Sequence, residues 1–349
     1  MPRNLVLAVV QMDAAPAPTG VRLARAQGFV AQAAREGAQL VVLPEVFNTG
    51  YEYSNVNFER AEPLTGPTVT WMRQMAAQKG VYLAGPFLLW NGEDVYNTLL
   101  LVAPDGQSWR YDKHHPWAWE RAYFRAGDRL TVAETALGRV GLLVCWDQAH
   151  PRLWACYAGH VDAMVVCSSP PAAHDMTFVL PNGTRLSAGE AGPIPRHMKH
   201  TSADAFGPCL RRQGASLGVP VAHTTATGTF SSEIPYPRLS LFLYAPTRVD
   251  LWPAFLRAER VRVEMAYYHE TWMTDADGEI LSRVPPGVEG YMPAEVNLPA
   301  SPPRPRRPQP AFGISPFAYV FDEVANLLLA PRYRRSVRRH RRRAGAPRC

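Results

Sequence analysis

Four polar side chains stand at the ends of otherwise apolar segments. Glu45 follows LVVLP, Lys113 closes SWRYD, Glu120 sits within WAWERAYF, and Cys145 ends GLLV. A thiol attacks only as a thiolate, and a nearby carboxylate can take its proton. The tetrahedral adduct made from an amide then needs positive charge or N–H donors at its oxygen. Cys145 as nucleophile, Glu45 as its base, Lys113 as the oxyanion-stabilising cation and Glu120 as a supporting carboxylate would therefore suffice for acyl transfer, with water finishing the cycle. Taken singly, each has a plainer reading, since a Cys in LLVCW is usually an inert core thiol. Lysine is scarce here: Lys79, Lys113 and Lys199 stand against 34 arginines, which hints that a compact ammonium is wanted at Lys113. His114, His115 and His150 flank the same motifs and offer an alternative base in a Cys–His pair. Trp117 and Trp119 beside Glu120, together with Tyr51, Trp146 and His223, are the candidate walls of a substrate pocket, and Tyr123 and Phe124 help to dry it.

Such residues converge only if strand ends deliver them to one sheet edge. The apolar run Leu5–Val10 reads as a strand, followed by a helix over 19–35 with Thr19 as N-cap and Gly37 closing it. Leu40–Leu43 is a second strand that Pro44 stops, leaving Glu45 at its exit. A helix over 68–79, a meander of strands over 81–90, 95–103 and 107–112, and a strand over 139–144 deliver Lys113 and Cys145 in the same way. A helix over 151–158, strands over 163–167 and 219–224, and a hairpin over 271–297 complete an α/β layered domain over residues 1–300. The stretch 168–199 reads as loop, and 231–268 as a long excursion. A Pro/Arg-rich linker over 301–314 leads to an amphipathic helix over 315–330, with Phe317, Val320, Phe321, Val324 and Leu328 as its docking stripe.

Charge is local rather than global. The formal net charge is +7, but residues 331–349 carry nine arginines and no acid, so residues 1–330 carry −2. The body therefore has no basic surplus for nucleic acid, and only the Arg-rich tail is suited to an anionic surface or RNA. Its plainer reading is a solvated basic tail. Five cysteines with no CxxC pair argue against a disulfide framework or a zinc site. No apolar run approaches the roughly 18 residues of a membrane span. The expectation from these signals is a reduced, cytoplasmic protein.

The segments LVVLPEVFNTGY (40–51), YNTLLLVAPDGQSWRYDKHH (96–115), WERAYFRAGD (119–128) and GRVGLLVCWDQAHP (138–151) resemble the nitrilase superfamily of carbon–nitrogen hydrolases in motif, order and spacing. That resemblance implies an α-β-β-α sandwich and a homodimer or higher homo-oligomer. It places the Glu–Lys–Cys triad on Glu45, Lys113 and Cys145, and the second glutamate on Glu120. The implied activity is hydrolysis of a small amide or N-carbamoyl compound to acid and ammonia through a Cys145 thioester, with no cofactor or metal. Nitrile hydrolysis and acyl transfer share the fold and are the alternatives. CWDQ after the nucleophile is more similar to the amidase and N-carbamoyl-amine branches. The chain departs from the family at Arg152 and Ala155, where an ion pair is usual, and at His223-Thr224, where Asn is usual. The insertions at about 171–199 and 231–268 have no counterpart in the short amidases.

Overall fold

A computed structural model describes residues 3–198, 200–298, 303 and 314–344. Alternation along the first strand, Arg3–Asp13, shows how the layers arise. Leu5, Leu7 and Val9 face one core, whereas Ala8, Val10 and Met12 face another. The first core lies between two sheets. The second lies between a sheet and the helices Thr19–Arg35 and Pro67–Lys79.

The first sheet has seven strands. Its order is Ala226–Thr227, Arg3–Asp13, Leu40–Val42, Tyr82–Trp90, Val95–Val102 and Ser108–Asp112, with Gly290–Leu298 antiparallel on Arg3–Asp13. The second has six, ordered Ile280–Arg283, Trp272–Thr274, Val221–Thr224, Ala163–Cys167, Gly138–Val144 and Val132–Thr135. Helices Pro151–Tyr157 and Leu210–Leu217 cover it through Trp154, Tyr157, Leu210 and Leu217. The architecture is thus the helix–sheet–sheet–helix sandwich that the motifs implied. Leu40–Val42 runs parallel to both its neighbours, and Gly138–Val144, Ala163–Cys167 and Val221–Thr224 run parallel to one another, so the carboxyl ends within each set gather.

Several elements depart from the sequence reading. Thr19 begins its helix rather than capping it, because Pro18 supplies the extended cap position. The hairpin over 271–297 is formed only by Trp272–Thr274 and Ile280–Arg283, since Gly290–Leu298 crosses to the other sheet. Stretch 168–199 is not simply a loop. Its strands Thr177–Val179 and Arg185–Ser187 join Arg262–Ala266 and Thr229–Glu233 in a four-stranded sheet. The two insertions therefore form one small body, with Phe178, Phe230, Leu241, Tyr244 and Phe255 in its core.

The helix at the C-terminal end spans Pro316–Ala344, with Ser315 Oγ accepting from Phe317 N–H at 3.3 Å. Its docked face is Ala318, Phe321, Ala325, Leu329, Tyr333 and Val337, whereas Phe317 and Val320 are 37% and 59% exposed. The expected stripe was thus rotated: two alanines let the helix approach closely along the other side. The helix also runs through the segment read as a solvated tail. Tyr333 donates to Asp94 Oδ1 at 2.7 Å, and His340 lies edge-on to Trp90. The linker over 301–314, save Pro303 and Ile314, and residues 345–349 lie outside the described residues. Among the described residues no helix is long and apolar enough to cross a membrane.

Candidate active site

Glu45 leaves its strand through Pro44 and is buried at the sheet edge, where its backbone N–H donates to Ser168 O at 3.4 Å and Ser169 Oγ donates to its carbonyl at 3.0 Å. Val46 after it has φ +52°, which turns the chain sharply and keeps the carboxylate facing inward. Glu45 Oε1 accepts from Asn97 Nδ2 at 2.7 Å and from Lys113 Nζ at 2.8 Å. Its Oε2 is buried and has no hydrogen-bond partner among the described residues.

Lys113 is fully buried. Its backbone N–H donates to Asn97 O at 2.9 Å, which fixes the stem, and Gly127 N–H donates to Lys113 O at 2.8 Å. Gly127 is required there because a Cβ would lie 2.3 Å from Asp112 O. The ammonium also donates to Glu120 at 2.7 and 3.0 Å, so one cation is clamped between two carboxylates. Burial pulls the Lys113 pKa down, but the charges of Cys145 and Glu45 outweigh it and the net direction is upward. Glu120 is held by Trp117 N–H at 2.7 Å. Burial, and then the Glu45 charge, push its pKa well above the carboxylate range.

Cys145 follows strand Gly138–Val144 and starts a short 3₁₀ turn, Cys145–Ala149, with φ +51°. A non-glycine residue in that conformation is held there by its surroundings. The thiol pKa is driven well upward by burial and by Glu45, while Lys113 and a hydrogen bond from the Ser169 backbone oppose the rise. Burial and the Glu45 charge thus oppose ionisation of the sulfur. Asp147 secures the turn: it accepts from Tyr111 Oη at 2.8 Å, His115 N–H at 2.7 Å, His114 N–H at 3.2 Å and Val144 N–H at 3.4 Å. These bonds tie the Cys145 turn directly to the chain after Lys113.

A narrow cavity of about 60 Å³ opens at Cys145. Trp117, Trp119 and Trp146 line it, with Tyr53, Met176, Phe206, Tyr244 and Met265. Tyr51 and His223 do not. Tyr51 packs behind the wall on Tyr53 and Phe230, because the chain after Gly50 turns Tyr53 inward instead. His223 is buried within its strand, pairs with Ser168 Oγ at 3.2 Å and stacks on Phe206. Nor do the flanking histidines reach the thiol: among the described residues none of His114, His115 and His150 hydrogen-bonds Cys145. His115 and His150 stack on each other at 3.5 Å, and burial lowers both, His150 to about 3. Two contributors escaped the sequence reading: Asn97 and Ser169. Asn97 alone left a signal, as a polar residue inside the apolar run YNTLLLV. No group of three or more His, Cys, Asp or Glu side chains able to hold a metal occurs among the described residues.

Comparison with known proteins supplies an independent line. A nitrilase of Pyrococcus abyssi is 29% identical over 183 residues, 51% of this chain and 67% of its own length. An (R)-stereoselective amidase of a Pseudomonas species is 33% identical over 144 residues, 41% of this chain and 52% of its own. An N-carbamoylputrescine amidase of Solanum tuberosum is 30% identical over 141 residues, 37% of this chain and 47% of its own. The chain therefore spans about half the length of the two amidases it matches and two thirds of the nitrilase. A carbon–nitrogen hydrolase superfamily protein of Xanthomonas campestris shares the fold with TM-score 0.61 at 20% identity, over 85% of this chain and 91% of that one. An amidase of Nesterenkonia sp. does so with TM-score 0.60 at 17% identity, over 83% and 89%. The carbon-nitrogen hydrolase family model matches residues 6–301, which is most of the sequence, and the chain belongs to that family.

Proposed function

We propose that the chain hydrolyses the carbon–nitrogen bond of a small neutral amide through a Cys145 thioester. The observation that carries this reading is the buried Glu45–Lys113–Glu120 chain beside a positive-φ cysteine at the floor of a cavity. Glu45 takes the thiol proton through Oε2 as the sulfur attacks the carbonyl carbon, forming a C–S bond and an oxyanion. Lys113 and the Trp146 backbone N–H stabilise that oxyanion. Collapse breaks the C–N bond, and Glu45, now protonated, returns the proton to the leaving nitrogen, which departs as ammonia. Water, deprotonated by the same carboxylate, then cleaves the thioester to the acid and the free thiol. Glu120, hydrogen-bonded to the ammonium through both oxygens, orients Lys113 throughout.

The cavity wall favours an amide over a charged N-carbamoyl compound. Among its lining residues none is Asp, Glu, Lys, Arg or His, and most are aromatic, Met or Pro. An ammonium or carboxylate on the acyl part would be desolvated there without a partner. The test is rapid acid quench during turnover of aliphatic amides, followed by intact-mass measurement. An acyl increment on wild type that maps to Cys145 supports the thioester; turnover with no increment at any quench time rejects it.

A further inference from the structure

Asp322 lies on the C-terminal helix, outside the 6–301 stretch that matches the family model. Its carboxylate is nevertheless buried and reaches back to the turn that carries Glu120. Oδ1 accepts from Ala118 N–H at 2.9 Å, and Arg121 Nη2 donates to Oδ2 at 2.7 Å while its Nε lies 3.3 Å from Oδ1. These anchors stand on both sides of Glu120. Ala118 has φ +43°, a conformation that an L-residue keeps only when something holds it. The same helix grips the second catalytic turn, since Tyr319 Oη donates to the carbonyl of Ala149, the last residue of the turn begun by Cys145, at 2.6 Å.

We infer that Asp322 is a positioning residue that sets the Ala118–Arg121 turn, and through it the Glu120 carboxylate on Lys113, so that the C-terminal helix completes the active site. The inference rests on the roles proposed above for Lys113 and Glu120. Physically, Arg121 is a buried cation whose ion-pair partner is Asp322. Loss of that charge leaves the guanidinium unpaired and frees the strained turn to relax. A shift near 1 Å at Glu120 would change how Lys113 is held.

The test compares Asp322→Asn with Tyr333→Phe. Asn keeps the shape and one acceptor but turns an amide NH₂ towards Arg121. The Tyr333 variant loosens the same helix elsewhere, at Asp94 and Val95. Three readouts are taken on the full chain: kcat and KM for an amide, the denaturation midpoint, and the rate of Cys145 alkylation by iodoacetamide followed by peptide mass. Asp322→Asn is expected to lower kcat by about tenfold or more with KM within about twofold. It should also slow Cys145 alkylation at least about threefold, because a displaced Lys113 supports the thiolate less well. Tyr333→Phe should lower only the midpoint. Equal effects of the two variants on kcat and alkylation, or none in Asp322→Asn, overturn the inference and leave the helix a structural strap. If wild type releases ammonia from no amide, the proposed function has failed, and alkylation decides alone: slower in Asp322→Asn than in Tyr333→Phe retains the positioning role, and equal rates reject it.

Discussion

Replacing Lys113 by methionine removes the one cation clamped between Glu45 and Glu120 while keeping the bulk of its stem. Two carboxylates, both buried and each within 2.8 Å of the ammonium in wild type, are then left facing each other. Breaking a buried ion pair in this way costs about 3–5 kcal/mol, a large share of the stability of an ordinary domain. The deficit carries a pH signature. Glu120 already has a folded-state pKa raised by burial and Glu45, and removing Lys113 raises it further. A carboxylate whose folded pKa is raised contributes no penalty at low pH and an increasing one as pH rises through it. The Lys113→Met deficit should therefore grow from mildly acid to neutral pH. Adding Glu120→Gln removes one of the two charges and should restore part of the stability but none of the activity. Loss of an oxyanion donor costs about 10²–10³ in kcat, so both variants should fall at least that far. Urea denaturation at several pH values and ammonia release from an amide measure the two effects. Stability in Lys113→Met equal to wild type at neutral pH, or turnover within a few-fold of it, refutes the reasoning.

Two further outcomes follow from the surroundings of the site. His150 and His223 are held neutral by burial, each lowered to about 3, whereas unfolded histidine titrates near 6.5. Between those values the unfolded state binds more protons, so stability rises with pH at about 1.4 kcal/mol per unit for each; denaturation midpoints for His150→Gln should show a shallower slope between pH 4 and about 6.5, and an unchanged slope would contradict the burial argument. Met176→Ala should enlarge the cavity wall and raise kcat/KM for longer aliphatic amides over shorter ones by about tenfold. A series of homologous amides measures it, and an unchanged ranking would mean that Met176 does not bound the acyl site.

Glu45, Lys113 and Cys145 were legible because each follows a strand or a hairpin, and parallel strand ends gather at one edge. The parallel-end rule places Glu45 and Cys145, whereas Lys113 leaves an antiparallel strand and Glu120 sits in a 3₁₀ turn, so those two were legible at the site only through the motifs shared with the family. What surrounds them depends on contacts that no local pattern encodes. Strand Thr177–Val179 has three residues and pairs with Arg262–Ala266, far along the chain, so neither segment announces the sheet they share. The wall residue is Tyr53 rather than Tyr51 because the backbone turns at Gly50, and two tyrosines in YEY look alike from sequence. The C-terminal helix has apolar residues on both sides, and periodicity does not say which side Ala318 and Ala325 allow to dock. Asp322 stood unnoticed among them, since a single Asp in a helix usually faces water.

On the proposed mechanism, Cys145 breaks a carbon–nitrogen bond with Glu45 as its base. Ammonia release from a panel of aliphatic amides, N-carbamoyl amines and nitriles tests it most directly, with wild type, Cys145→Ala and Glu45→Gln compared side by side. Wild type is expected to release ammonia from neutral amides, and both variants to release none while their folds persist by circular dichroism. Release from wild type that survives in either folded variant would contradict it.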